Sequence, residues 1–119
     1  MYFVSGTIGT GIVNNCVIWG NNHASSSNIF IEAGSTAIVN YTCSGPVQTG
    51  TGNIGADPLF VDMNGNYHLT ANSPCVNAGA NSAWMTGAVD LDGRQRIRYG
   101  TVDMGAYECV YNGTVYRIP

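Results

Sequence analysis

The residues able to do ionic chemistry are few and sit close together. Charged side chains make up only 9% of the 119 residues, there is no lysine, and Arg94, Arg96, Arg98 and Arg117 all fall in the last quarter. Asp90-Leu91-Asp92-Gly93 has the alternating carboxylates and sharp-turn glycine with which a calcium loop begins. The further ligands and the distal Glu that complete such a loop are missing, so Asp90 and Asp92 are candidate calcium ligands only if the fold brings Asp103 or Glu108 to them. A structural turn accounts for the same residues. Arg96, Asp103 and Glu108 are the second constellation, a candidate structural ion pair. Arginine can bind a carboxylate through two parallel bonds, and such a pair is costly to bury and costlier to half-remove. Neither His23 nor His68 has a Ser, Cys or Glu at a spacing that points to catalysis or metal binding.

Four cysteines without CxxC spacing argue against a zinc ribbon. Trp19, Tyr41, Trp84, Tyr99 and Tyr107 offer faces on which sugar rings could stack, and core packing accounts for the same number of aromatics. A net charge of -3, with no basic residue before position 94, leaves nucleic-acid binding without support. No apolar run approaches the roughly 18–20 residues of a membrane span, and Met1-Tyr2-Phe3-Val4 lacks the basic and long apolar parts of a signal peptide.

The elements that must position these groups are short. Thr10-Gly11-Ile12-Val13-Asn14-Asn15-Cys16-Val17-Ile18-Trp19-Gly20 is echoed by Thr36-Ala37-Ile38-Val39-Asn40-Tyr41-Thr42-Cys43-Ser44-Gly45, at an offset of 26 at the start and 25 at the end. β-branched runs punctuated by Asn and Gly at such a period fit the coils of a β-solenoid, with coils about 4.8 Å apart. Ile12 then stacks near Ile38 and Asn14 near Asn40. An antiparallel sandwich would give similar short strands. Cys16 and Cys43 fall on adjacent coils one position out of step, a spacing open both to a disulfide and to two free thiols. A Gly/Thr-rich loop spans 44–55. From position 56 on, Pro, Gly, Asn and Asp punctuate every apolar run. Asn64-Gly65 and Asn112-Gly113 mark two hairpins, Ser82-Ala83-Trp84-Met85 one helical turn, and Gln95-Arg96-Ile97-Arg98-Tyr99 a strand.

Five blocks in order, Asp57-Pro58-Leu59-Phe60-Val61-Asp62, Tyr67-His68-Leu69, Ser73-Pro74-Cys75-Val76-Asn77-Ala78-Gly79, Asp90-Leu91-Asp92-Gly93-Arg94-Gln95-Arg96 and Val102-Asp103-Met104-Gly105-Ala106-Tyr107-Glu108, resemble the choice-of-anchor Q type of C-terminal module. That module closes exported bacterial proteins of the right-handed parallel β-helix kind. The chain departs from the pattern at Asn77, usually Asp, and at Arg94-Gln95, where Asn-Pro is common. The resemblance implies a secreted or cell-surface bacterial protein and no particular reaction.

The reading is therefore an all-β chain: terminal coils of a right-handed parallel β-helix over 1–55, followed by a hairpin-rich closing module over 56–119. The expected role is to cap an extracellular, adhesin-like or glycan-binding solenoid, without catalysis or a cofactor beyond the calcium question. The alternative is a fragment of a carbohydrate-active lyase or hydrolase. Against it, residues 1–56 hold a single acid, Glu32, and no Arg or Lys. The apolar start of the chain carries neither charge nor proline, so it is expected to be truncated and to leave an open coil edge through which copies associate.

Overall fold

A computed structural model of the protein describes residues 2–3, 9–21, 28–31, 33–98 and 100–109. The expectations attached to Met1, His23, Glu32, Tyr99, Arg117 and the Asn112-Gly113 hairpin lie outside these residues.

The first half consists of short strands in matched sets: β1 (Tyr2–Phe3), β2 (Thr10–Asn14), β3 (Val17–Ile18), then β4 (Phe30–Ile31), β5 (Thr36–Asn40) and β6 (Cys43–Ser44). Each strand of the first set pairs in parallel with its counterpart in the second, β1 with β4, β2 with β5 and β3 with β6. The register sets Ile12 against Ile38 and Asn14 against Asn40, at the offset of 26 found in the sequence. Val13 and Val39 point inward and are buried, while Ile12 and Ile38 between the same neighbours stay exposed. That is the two-residue alternation of a strand with one buried face. Asn15 and Tyr41, one repeat apart, both have left-handed backbone (φ 57° and 48°) and turn the chain from β2 into β3 and from β5 into β6.

The Gly/Thr-rich segment after β6 is more than a loop. It doubles back to lay 51–54 beside 41–44, through Tyr41 N–H to Thr51 O (2.8 Å), Ser44 N–H to Ile54 O (3.0 Å) and Ile54 N–H to Thr42 O (3.0 Å). Cys43 and Ile54 form a parallel bridge. Gly50 permits the return, since a Cβ there would fall 1.9 Å from Val39 O.

Beyond position 56 regular structure is sparse. β7 (Phe60–Asp62) and β8 (Asn66–Leu69) form the antiparallel hairpin expected around Asn64-Gly65. Residues Ala83–Met85 make one 3-10 turn. The strand expected over 95–99 is reduced to a single antiparallel bridge, Val89 with Gln95. The bridge is flanked by Asp90 N–H to Arg94 O at 2.8 Å and Arg96 N–H to Ala88 O at 2.9 Å, on either side of the Asp90 turn. Among the described residues the chain is thus strand-rich and almost without helix, in four separate two-stranded sheets that do not close into a solenoid. One hairpin, and not several, lies in the second half of the described chain.

Two cores follow from the alternation of β3 and β6. Ile18 faces inward with Val13, Ile29 and Val39. Val17 and Cys43 face outward, and on them sits a second core of Leu69, Cys75, Met104 and Cys109, flanked by Trp19, Tyr41, Ile54 and Phe60. The second half of the chain therefore lies against the flank of the stacked strands.

Candidate functional site

Three buried carboxylates organise residues 73–109, and all three accept backbone N–H groups. Asp90 Oδ1 takes the N–H of Asp92 (2.8 Å) and of Arg94 (2.9 Å), and its Oδ2 takes Glu108 N–H at 2.8 Å. Asp103 takes Asn77 N–H on Oδ1 (2.7 Å) and Cys109 N–H on Oδ2 (2.6 Å). Glu108 Oε1 takes Asp103 N–H at 2.9 Å, and Oε2 meets Arg96 Nη1 at 3.0 Å. Arg96 Nη1 also donates to Gly105 O at 3.1 Å. Of the two acids expected beside Arg96, Glu108 is its direct partner, and Asp103 is spent on backbone. The segments carrying these groups have no strand ladder, so buried N–H groups that would otherwise be orphaned find charged acceptors.

The carboxylates respond differently to burial. Burial pushes Glu108, 2% exposed, up to about 7; the Asp103 N–H and Arg96 oppose this, and the Asp103 charge adds to it. Burial also raises Asp103 against the pull of its two N–H donors and Arg96. Asp90 is buried too, yet its three N–H donors and Arg96 outweigh burial and bring it below the ordinary carboxylate range.

Asp90 and Asp92 are both engaged by groups of the protein itself. The Asp90 oxygens are committed as above, and Asp92 Oδ2 meets His68 Nε2 at 2.6 Å and Arg94 Nη1 at 2.7 Å. No cluster of three His, Cys, Asp or Glu side chains with metal-binding geometry occurs among the described residues. Sequence spacing gave His68 no neighbour, because Asp92 stands 24 positions away. In the fold its Nδ1 also meets Asn66 Oδ1 at 2.5 Å, and its ring stacks on Tyr107 with centroids 3.8 Å apart. The Tyr67-His68-Leu69 strand and the Asp90 turn are thereby joined at the surface.

Asparagine side chains do similar work, Asn15 where the two halves meet and Asn53 within the first half. Asn15, at its left-handed corner, accepts Ala80 N–H on Oδ1 (2.7 Å) and donates Nδ2–H to Ala80 O (3.0 Å), while its carbonyl takes Gly105 N–H at 2.8 Å. Asn53 accepts Thr42 N–H at 3.0 Å and donates to Val39 O (2.8 Å) and Gln48 O (2.9 Å). The recurrence of Asn at the ends of apolar runs was visible in the sequence, but its bonding partners were not. Among the described residues Asn77 Oδ1 is the buried side-chain oxygen left without a partner.

Between the halves runs a cleft of about 470 Å³, lined by Asn14, Asn15, Trp84, Arg96 and Asp103 among others. Trp84 stands at its edge, 67% exposed, and is not the core residue that packing alone would make it. Tyr67 is exposed as well, edge-on to Phe60. Trp19 and Tyr41 pack against the second core.

Cys16 and Cys43 are not bonded to each other here. The register explains this, since Cys43 stands opposite Val17, not Cys16. Cys16 donates its thiol to Asn14 O, and Cys43 turns toward Ala56 O at 3.1 Å. No helix among the described residues is long and apolar enough to cross a membrane. Compared with family models, curated proteins and solved structures, the chain finds no match.

Proposed function

We propose that this chain is the structural end of a parallel β-helix protein, extracellular or at a bacterial cell surface, in which the region from 56 on clads and fixes the last coils. The observation that carries this reading is the full burial of Cys43 and the partial burial of Val17, outward-facing residues of parallel strands, beneath Leu69, Cys75 and Met104. An outward face of a strand pair is apolar only where something covers it. The likeness of five sequence blocks to the choice-of-anchor Q module supports the same role. Replacing Val17 by Asp puts a charge under the cladding. The expected outcome is loss of cooperative thermal unfolding, and an unchanged melting curve would overturn the reading.

The reading assigns no catalysis to the chain, since the acid facing the cleft, Asp103, has both oxygens on backbone N–H groups. Polyuronate turnover by the chain, with or without calcium, would decide for the carbohydrate-active enzyme instead. Ligand contact, in an adhesin-like or glycan-binding sense, belongs to the cleft, where exposed Trp84 offers an apolar ring face beside Asn14 and Asn15. Self-association belongs to the outer edges of β1 and β2, each of which pairs on one side only among the described residues.

A further inference from the structure

We infer that Cys43 and Cys75 are a disulfide-forming pair that ties the stacked strands covalently to the region that clads them. Both thiols are fully buried in the same apolar cluster, close enough for each to shift the proton affinity of the other. They lie 32 positions apart in sequence. Cys43 belongs to β6, whereas Cys75 follows the Ser73-Pro74 turn of the cladding region. Cys75 is held in place by Ser73 Oγ, which accepts its N–H at 3.1 Å, and by Met104 N–H, which donates to its carbonyl at 3.0 Å. Two thiols anchored on separate segments and packed into one cluster have lost most of the freedom that closing a bond of about 2.05 Å would otherwise remove.

Which thiol holds its proton more tightly sets the order of events. Contact with Cys75 and burial hold Cys43 well above the ordinary thiol range, and the same contact brings Cys75 below it. Cys75 is therefore the thiol that gives up its proton and attacks first. With glutathione disulfide as oxidant, Cys75 sulfur displaces one glutathione thiolate and becomes a mixed disulfide. Cys43, losing its proton to solvent or buffer, then displaces the second. One S–S bond of glutathione is broken and one protein S–S bond is formed. Two electrons pass to two glutathione molecules, which leave as thiols with the two protons. Burial shields both sulfurs in the finished fold, so the exchange takes place late in docking, once the two thiols have met and before the cluster closes over them. An oxidising exterior, as expected of an exported protein, is where such a bond persists.

The test is to refold the full reduced chain in a mixture of glutathione and glutathione disulfide, then block free thiols and digest before Asp. That cleavage separates Cys75, Cys109 and the stretch holding Cys16 and Cys43 from one another. The expected result is two blocked thiols, at Cys16 and Cys109, and a reducible link from Cys43 to the Cys75 peptide. Thermal unfolding of the oxidised chain should lie several degrees above that of the reduced chain. A Cys16→Ser chain should give the same link, which removes the ambiguity within the first peptide. Four blocked thiols after refolding, a link through Cys16 or Cys109, or an oxidised chain that melts below the reduced one would each overturn the pairing.

Discussion

The two halves of this molecule satisfy their backbones by opposite means. Residues 9–54 use strand ladders, with Asn side chains filling in at the corners. Residues 57–109 have one hairpin, scattered turn bonds to backbone carbonyls, and a further set of N–H groups held on three buried acids, one of which Arg96 braces as donor. A ladder spreads the same small term over many residues, so losing one member costs little. A carboxylate concentrates several donors on one side chain, so its loss orphans them all together. The second half should therefore be brittle at a few positions and tolerant elsewhere, and the first half more evenly sensitive.

The largest effect is expected at Arg96. Arg96→Ala leaves Glu108 buried without its cation and should cost roughly 3–5 kcal/mol in urea unfolding, while Arg94→Ala, at an exposed pair with Asp92, should cost about 0–1 kcal/mol. Equal small losses at both would erase the contrast between the halves. Next come the cores: Met104→Ala should cost about 2–5 kcal/mol and Val39→Ala somewhat less, by the same measurement.

The pH dependence follows from the raised acid. Glu108 titrates near 7 in the folded chain against an ordinary 4.5, so between those values the folded state holds a proton that the unfolded state has released. Its contribution is fully present below about 4.5 and is lost as pH rises through about 7, by roughly 1–3 kcal/mol. The raised Asp103 acts in the same direction, and the lowered Asp90 protects the fold above its ordinary 3.8 and ceases to do so as pH falls. Melting followed from pH 5 to 8 should decline, and more steeply in Arg96→Ala; a rise over that window would contradict the assignment.

Two smaller changes sharpen the comparison. Gly79→Ala places a methyl 2.8 Å from Asn15 Oδ1 and Val102 Cγ1, and should cost about 1–3 kcal/mol by pushing the halves apart. Asn77→Gly keeps the N–H given to Asp103, relieves a left-handed backbone at φ 55° and deletes the unpartnered oxygen. It should change stability by less than about 1 kcal/mol, and a larger loss would mean that the Asn77 side chain has a role of its own.

What could be read in the sequence was the part governed by period. The offset between Thr10 and Thr36 is the pairing register of β2 and β5, because stacked turns put like residues together. Asn64-Gly65 gave the hairpin for the equally local reason that few residues fit that turn. The return of 51–54 escaped notice because Gly50 and Gly52 announce flexibility and not the strand they allow. Arg96, Asp103 and Glu108 could be singled out by scarcity of charge alone. Which acid meets the arginine could not, since the answer depends on where Asn77 and Cys109 N–H groups arrive. His68 with Asp92, and Cys43 with Cys75, join segments whose spacing in the chain carries no signal.

The use of side-chain acids as ladder substitutes also bears on how folding of this chain would be watched. Far-ultraviolet circular dichroism reports repeating backbone geometry, and the described residues between 70 and 109 supply almost none apart from one 3-10 turn and one bridge. By that signal they would pass for coil, whether docked or detached. Amide exchange would tell the two apart, because the protons of Asn77, Asp103, Glu108 and Cys109 are held on buried carboxylates. Spectroscopic coil and protected coil are then the same stretch of polypeptide.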